Sequence, residues 1–275
     1  FAAALIPGVL AICLFLATIA VFVAIYPDAA PKTRKTDKEE RIRATIGILP
    51  VASVFIIVLG GMYAGFFNPT PAASLGVGLV LIIGYITKKL NLTQLKEALL
   101  ETAGLSGMIY LILLGAELMK IYMSRTGLPQ ALSDWILVAG FEPMSVIIVL
   151  LLGMILLGCL LDSLSIILLI IPFFWPVLVE LNGGVHIAAE SAGFGITTGD
   201  LKIWFGILAL VVVEVGLITP PVGMNVFVIS SIADNCDISD TFKGVSPFFI
   251  AELIRIVILF SLPILALWLP NILSG

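Results

Sequence analysis

The stretch Gly216-Leu-Ile-Thr219-Pro220-Pro221-Val222-Gly223 places two helix breakers in the middle of an apolar run. Proline has no backbone N–H and cannot bond the carbonyl four residues back. Along a continuous helix Pro220 frees the carbonyl of Gly216, and Pro221 frees that of Leu217. Pro220 also drives Thr219 away from helical dihedrals, while Gly216 and Gly223 bracket the stretch and tolerate unusual angles. The chemistry on offer is several unpaired carbonyls and one hydroxyl, without a carboxylate. Such oxygens suit a monovalent hard cation, sodium first. Calcium or a transition metal calls for carboxylates, imidazoles or thiolates. The alternative is a proline kink whose carbonyls are repaired by neighbouring helices or water.

A second group lies in Gly158-Cys-Leu-Leu-Asp162-Ser163-Leu-Ser165, between two apolar arms. An intramembrane carboxylate is expensive and faces a cavity or a partner. Asp162 can neutralise a cation, hydrogen-bond the turn, or cap the following helix, and capping is the role expected of it. Glu117 and Lys120 form a self-compensating i,i+3 pair. Glu214, one turn before the double proline, can tune a cation site or bond another helix. His186, the single histidine, has no metal-ligand companion and is expected at the surface. Cys13, Cys159 and Cys236 read as small core residues rather than a disulfide framework. There is no Gly-rich phosphate loop, zinc spacing or nucleophile elbow. Asp162 as the carboxylate of an intramembrane hydrolase lacks a second acid or base at matching depth.

These residues need elements that live in a bilayer. Of the 275 residues 60% are hydrophobic and 12% charged, about half the charge of a soluble domain. The class is therefore an all-α polytopic membrane protein, since about 20 helical residues cross the hydrocarbon. No basic face with interleaved aromatics points to nucleic acid. Spans are expected over Ala3–Tyr26, Ala44–Gly65, Ala72–Thr87 and Ala98–Tyr122, then an amphipathic piece, LPQALSDWIL. The apolar region Met144–Val179 follows, then a polar insertion Glu180–Asp200, a span from Leu201 through the double proline, and a last span Phe248–Leu269. Phe1 enters a span with no charged n-region or cleavage site before it. No signal peptide is expected, and the chain reads as the C-terminal portion of a longer one.

Orientation follows from lysine and arginine. With the loops after the first and third spans cytoplasmic, Lys32, Arg34, Lys35, Lys38, Arg41, Arg43, Lys88, Lys89, Lys96, Lys243 and Arg255 lie inside, eleven of fourteen. Only Lys120, Arg125 and Lys202 fall outside. This requires Met144–Val179 to enter and leave on one side, as a re-entrant hairpin turning at Gly158–Ser165. The competing arrangement is one long tilted helix with a buried Asp162. The basic stretch Lys32–Arg43, interleaved with Asp37, Glu39 and Glu40, reads as a solvated connector.

GLITPPVGMNVFV, LLDSLSIILLIIP before it, GGMYAGFFNPTPAAS earlier and VSPFFIAELIRIVILFSLPILALWLP at the end resemble, in that order, the large membrane subunit of tripartite ATP-independent periplasmic (TRAP) transporters. The resemblance implies a bacterial inner-membrane, sodium-driven importer and no enzyme. It implies a small membrane (Q) subunit and a periplasmic substrate-binding protein as partners. The implied substrate is a small organic acid, of sialic acid or C4-dicarboxylate type. It implies an elevator-type fold with two re-entrant hairpins in inverted repeats, of which this chain holds the second. Residues 1–142 are then mainly scaffold and connecting helices. Residues 143–234 are half of the transport domain, with a hairpin (143–179) and a broken helix (201–234). Residues 235–275 are an interfacial segment and the last transmembrane helix. By resemblance, sodium is bound by Gly158 at the hairpin tip with Gly216, Thr219 and Val222, the tip being supported by Asp162, Ser163 and Ser165 and the break made by Pro220 and Pro221. The first hairpin and first sodium site have no counterpart in these residues. A related single-component ion-coupled carboxylate transporter, needing no binding protein, is the nearest alternative. A purely structural membrane scaffold leaves the double proline unexplained.

Overall fold

The computed structural model describes residues 2–27, 37–232 and 237–274, and among these all regular structure is helical. Eleven α-helices follow in order: α1 (Ala2–Ile25), α2 (Lys38–Tyr63), α3 (Pro69–Ile86), α4 (Leu92–Thr126), α5 (Leu128–Val138), α6 (Pro143–Gly158), α7 (Ser163–Asn182), α8 (Thr198–Gly216), α9 (Met224–Ile232), α10 (Ile238–Ser261) and α11 (Ile264–Ser274). Six of them, α1, α2, α3, α4, α7 and α10, are long and apolar enough to cross a membrane. Cys236 and the basic residues Lys32, Arg34 and Lys35 lie outside the described residues.

The chain divides into two units, with the division inside α4 between Met108 and Ile109. In the smaller unit, residues 31–108, α2 packs on α3. The turn between them is tight: a Cβ on Gly61 would come within 2.7 Å of the Phe67 ring, and Gly65 has φ +77°. The start of α4 is set by a reciprocal pair, in which the Gln94 N–H donates to Asn91 Oδ1 (2.8 Å) and the Asn91 N–H to Gln94 Oε1 (3.0 Å).

The larger unit is built around α8, which packs against α1, α6, α7, α10 and α11. Its Trp204, Phe205, Leu208, Ala209, Val212 and Val213 are fully buried. A run this apolar on nearly every face can be satisfied only at the centre of a bundle. α5 and α6 are bent by 117° at the Gly140–Glu142 connection. The Gln130 amide at the start of α5 donates to Glu180 at the end of α7 (2.9 Å), tying α5 to the far end of α7.

The polar insertion is ordered from within. Glu180–Asn182 belong to α7 and Thr198–Asp200 to α8, leaving a loop of residues 183–197. Asn182 is completely buried. Its Nδ2 donates to the Ile196 carbonyl (3.2 Å) and Thr198 Oγ1 (2.9 Å), and its Oδ1 accepts from the Phe194 N–H (3.1 Å). Gly193 fits because a Cβ there would run into the Leu181 oxygen. His186 is exposed on this loop, as expected.

Two expectations are corrected. The apolar run Phe248–Leu269 is not one span: α10 starts ten residues earlier and stops at Ser261, because Pro263 cannot continue the ladder. The carbonyl that Pro263 frees, that of Leu259, accepts instead from the buried Trp204 Nε1–H at 2.9 Å. Arg255, counted on the cytoplasmic side in the orientation reading, is the second. It sits inside α10, 9% exposed, with its Nε 3.1 Å from Glu252 Oε2, so it contributes nothing to the orientation count. Ten of the other thirteen basic residues remain on the cytoplasmic side of that reading.

Candidate functional site

α6 ends at Gly158, where it meets α8. The two backbones touch at glycines. A Cβ on Gly216 would lie 2.6 Å from Gly158 Cα and 2.8 Å from the Ile155 oxygen, and one on Gly158 would lie 2.9 Å from Gly216 Cα. Cys159 to Asp162 make the turn, and α7 begins with Asp162 as N-cap, its carboxylate accepting from the Ser165 N–H at 2.9 Å. That is the capping role expected of Asp162. Ser163 and Ser165 occupy the first turn of α7 and are half-buried.

On the other side α8 stops at Gly216 and α9 starts at Met224, so the chain is broken over residues 217–223. The Pro220–Pro221 peptide is cis, and Gly223 has φ +61°, the conformation glycine accepts without cost. Gly216 does not take such an angle; it lies within α8, and its role is the close approach to Gly158.

The carbonyls nearest the prolines are not left bare. The Gly216 oxygen accepts from the Thr219 N–H (3.0 Å), and the Leu217 oxygen from the Asn225 N–H (3.1 Å), which ties α9 back across the break. This corrects the expectation that the prolines leave both unpaired: the chain turns sharply enough for later N–H groups to reach them. Among the described residues, no hydrogen bond reaches the carbonyls of Gly158, Thr219 or Val222. The Thr219 hydroxyl donates to the Val215 oxygen at 2.6 Å. A hydroxyl that gives its proton away keeps its lone pairs for a ligand.

Gly158, Gly216, Thr219 and Val222 therefore come from the tip and the break that the structure brings together, the first two in direct contact. Three free carbonyls and one hydroxyl with its proton committed are a donor set that fits a monovalent cation. No group of three or more His, Cys, Asp or Glu side chains among the described residues could hold a metal of another kind. Glu214 is exposed, on the face of α8 away from its buried side chains. Cys159, read as a core filler, is 1% exposed and does more: its Sγ–H lies 3.3 Å from the Ile155 oxygen and 3.4 Å from the Pro220 oxygen, bridging tip and break. Its position next to a glycine in the turn was the available signal.

The family model of the tripartite ATP-independent periplasmic transporter DctM component matches residues 1–265. The chain belongs to the DctM family. This DctM-family chain is 31% identical over 222 residues to the C4-dicarboxylate TRAP transporter large permease protein DctM of Rhodobacter capsulatus, covering 80% of this chain and 46% of that protein. It is 26% identical to the sialic acid TRAP transporter large permease protein SiaM of Vibrio cholerae, covering all of this chain and 60% of that one. It is 27% identical to the isethionate TRAP transporter permease protein DctMQ of Oleidesulfovibrio alaskensis, over 70% of this chain and 28% of that protein. The chain thus spans about half the length of the curated relatives it matches. As a DctM-family chain with six helices apolar enough to cross a bilayer, it is a multi-pass bacterial inner-membrane protein.

Proposed function

We propose that this chain is part of the large membrane subunit of a sodium-coupled importer of small organic anions, loaded by a periplasmic binding protein and assembled with a small membrane subunit. The observation that carries the reading is the close approach of Gly158 to Gly216 beside the 217–223 break, with the Gly158, Thr219 and Val222 carbonyls accepting no hydrogen bond among the described residues. Discontinuous helices meeting at mid-depth are the recurrent ion and substrate sites of secondary transporters. Family membership supports the transporter class. The named substrates of the relatives, a C4-dicarboxylate, sialic acid and isethionate, support an organic anion. The length of α6 supports a re-entrant hairpin: sixteen residues span about 24 Å, short of the ~30 Å hydrocarbon core. The hairpin and the break then move together as half of an elevator-type transport domain.

In that site sodium supplies positive charge at the meeting point. The residues of this chain do the rest: the Gly158, Thr219 and Val222 carbonyls and the Thr219 hydroxyl would supply the oxygens that hold it, and Cys159 and the Asp162 cap hold the turn in place. The test is uptake of candidate acids into proteoliposomes by the complete transporter, with sodium varied. Thr219→Ala should raise the sodium needed for half-maximal uptake roughly tenfold, the size of one lost ligand of about 1.4 kcal/mol. An unchanged sodium curve in well-folded Thr219→Ala removes that hydroxyl from the site, and equal uptake in potassium removes the sodium reading. Uptake that needs no binding protein favours a single-component transporter.

A further inference from the structure

α10 runs alongside the broken helix. It packs against α8 before the break and against α9 after it. The Leu259 carbonyl meets the Trp204 indole near the start of α8, and the Phe242 ring lies 3.2 Å from where a Cβ on Gly223 would sit, at the end of the break. Numbers fall along α10 as they rise from Trp204 to Gly223, so the two segments run antiparallel. Glu252 and Arg255 lie between those contacts on α10, and Glu214 lies between them on α8. The Glu214 charge reaches Glu252 and repels its carboxylate. We infer that Glu252 and Arg255, together with Glu214, set the charge felt by a cation at the break and draw sodium to oxygens that carry no charge of their own, an inference that rests on the sodium reading proposed above.

Packing alone does not call for the pair. Glu252 and Arg255 are 7% and 9% exposed, with Arg255 Nε 3.1 Å from Glu252 Oε2. Both belong to one helix, so their contact ties no two helices together. Neither of the two atoms makes a hydrogen bond among the described residues. Apolar side chains of similar volume serve stability as well as a buried ion pair or better. Ionisable residues inside a membrane-spanning helix mark ion and substrate paths.

The charge count gives the sign. α1 and α9, which also pack on α10, carry no charged side chain, and the other charges of α8, Asp200 and Lys202, lie near its start. Asp240 and Lys243 pair with each other near the start of α10, and on the hairpin side the Asp162 carboxylate is engaged as a cap. Two carboxylates against one guanidinium leave one formal negative charge. Glu214 places it two residues before Gly216, which touches the hairpin tip. A unit charge two helical turns away, about 11 Å, changes cation affinity about tenfold at an effective permittivity of ~20.

The test uses the complete transporter in proteoliposomes and in detergent. Two quantities are read against sodium, with potassium as the control: uptake, and the rise in melting temperature that a bound ion gives. Glu214→Gln and Glu252→Gln should each raise the sodium needed for half the effect about tenfold. Arg255→Gln should lower it by a similar factor, and Glu252→Gln with Arg255→Gln should return it to the wild-type value. A structural tie predicts instead that Glu252→Gln and Arg255→Gln shift the curve in the same direction, and that result overturns the inference. Glu214 is exposed, so Glu214→Gln should fold even where breaking the buried pair does not. A sodium-responsive wild type whose curve Glu214→Gln leaves unmoved overturns the inference alone. A wild type without any sodium-specific response overturns the sodium reading and this inference with it.

Discussion

Gly216 and Gly158 show how much depends on the absence of two side chains. A methyl group on Gly216 would meet backbone atoms of Gly158 and Ile155 at 2.6–2.8 Å. Backbone cannot rotate aside, so the tip must move off the break. Overpacking of this kind costs about 1–3 kcal/mol. Gly216→Ala should therefore lower the melting temperature and reduce uptake together. Gly153, on the same α6 but with nothing within 4 Å of its would-be Cβ, is the control. Gly153→Ala should be neutral, or stabilising by about 0.5–1 kcal/mol as alanine replaces glycine within a helix. Equal loss from both substitutions, in uptake and thermal unfolding, would sink the close-approach account.

At the scale of elements, two proline interruptions are handled in different ways. At the 217–223 break the chain folds back, and the Thr219 and Asn225 N–H groups reach the freed carbonyls. At the α10–α11 break the Leu259 carbonyl is met from another helix, by the Trp204 indole. That bond ties α8 to the last turn of α10, where the Trp204 and Phe260 rings lie tilted by 38° with centroids 5.7 Å apart. Trp204→Phe keeps most of the ring and removes the donor, leaving a buried carbonyl unpaired at a cost of about 1–3 kcal/mol. The expected outcome is a lower melting temperature with the sodium dependence of uptake unchanged. A melting temperature equal to the wild type would mean that the Leu259 carbonyl finds another donor.

For the larger unit as a whole, the decisive question is whether the arms α6 and α7 start and finish on one side of the membrane. α6 is short for a crossing, and the Gln130–Glu180 bond holds the start of α5 at the far end of α7. With Cys13 and Cys236 replaced by Ala, and Cys159 buried, Glu142→Cys and Glu180→Cys should both react with an impermeant maleimide from the periplasmic side. Reaction of the two from opposite faces would make α6 and α7 a crossing and end the hairpin reading.

Membrane class, most span positions, the double-proline break and the Asp162 cap were legible in the sequence. The reason is physical: hydrocarbon demands about 20 apolar residues per crossing, proline cannot donate, and a cap is a local bond three residues long. What could not be read locally were the partners that come from elsewhere in the chain. The burial of Arg255 within α10, 9% exposed, follows from packing. The split of the last span was hidden because the Leu259 carbonyl is repaired by Trp204, 55 residues away. Gly216 reads in sequence as a residue that tolerates unusual angles, whereas its need for no side chain comes from Gly158, 58 positions earlier in the sequence. Local sequence sets which backbone groups are released; only the tertiary fold decides which of them are taken by protein and which stay free for a ligand.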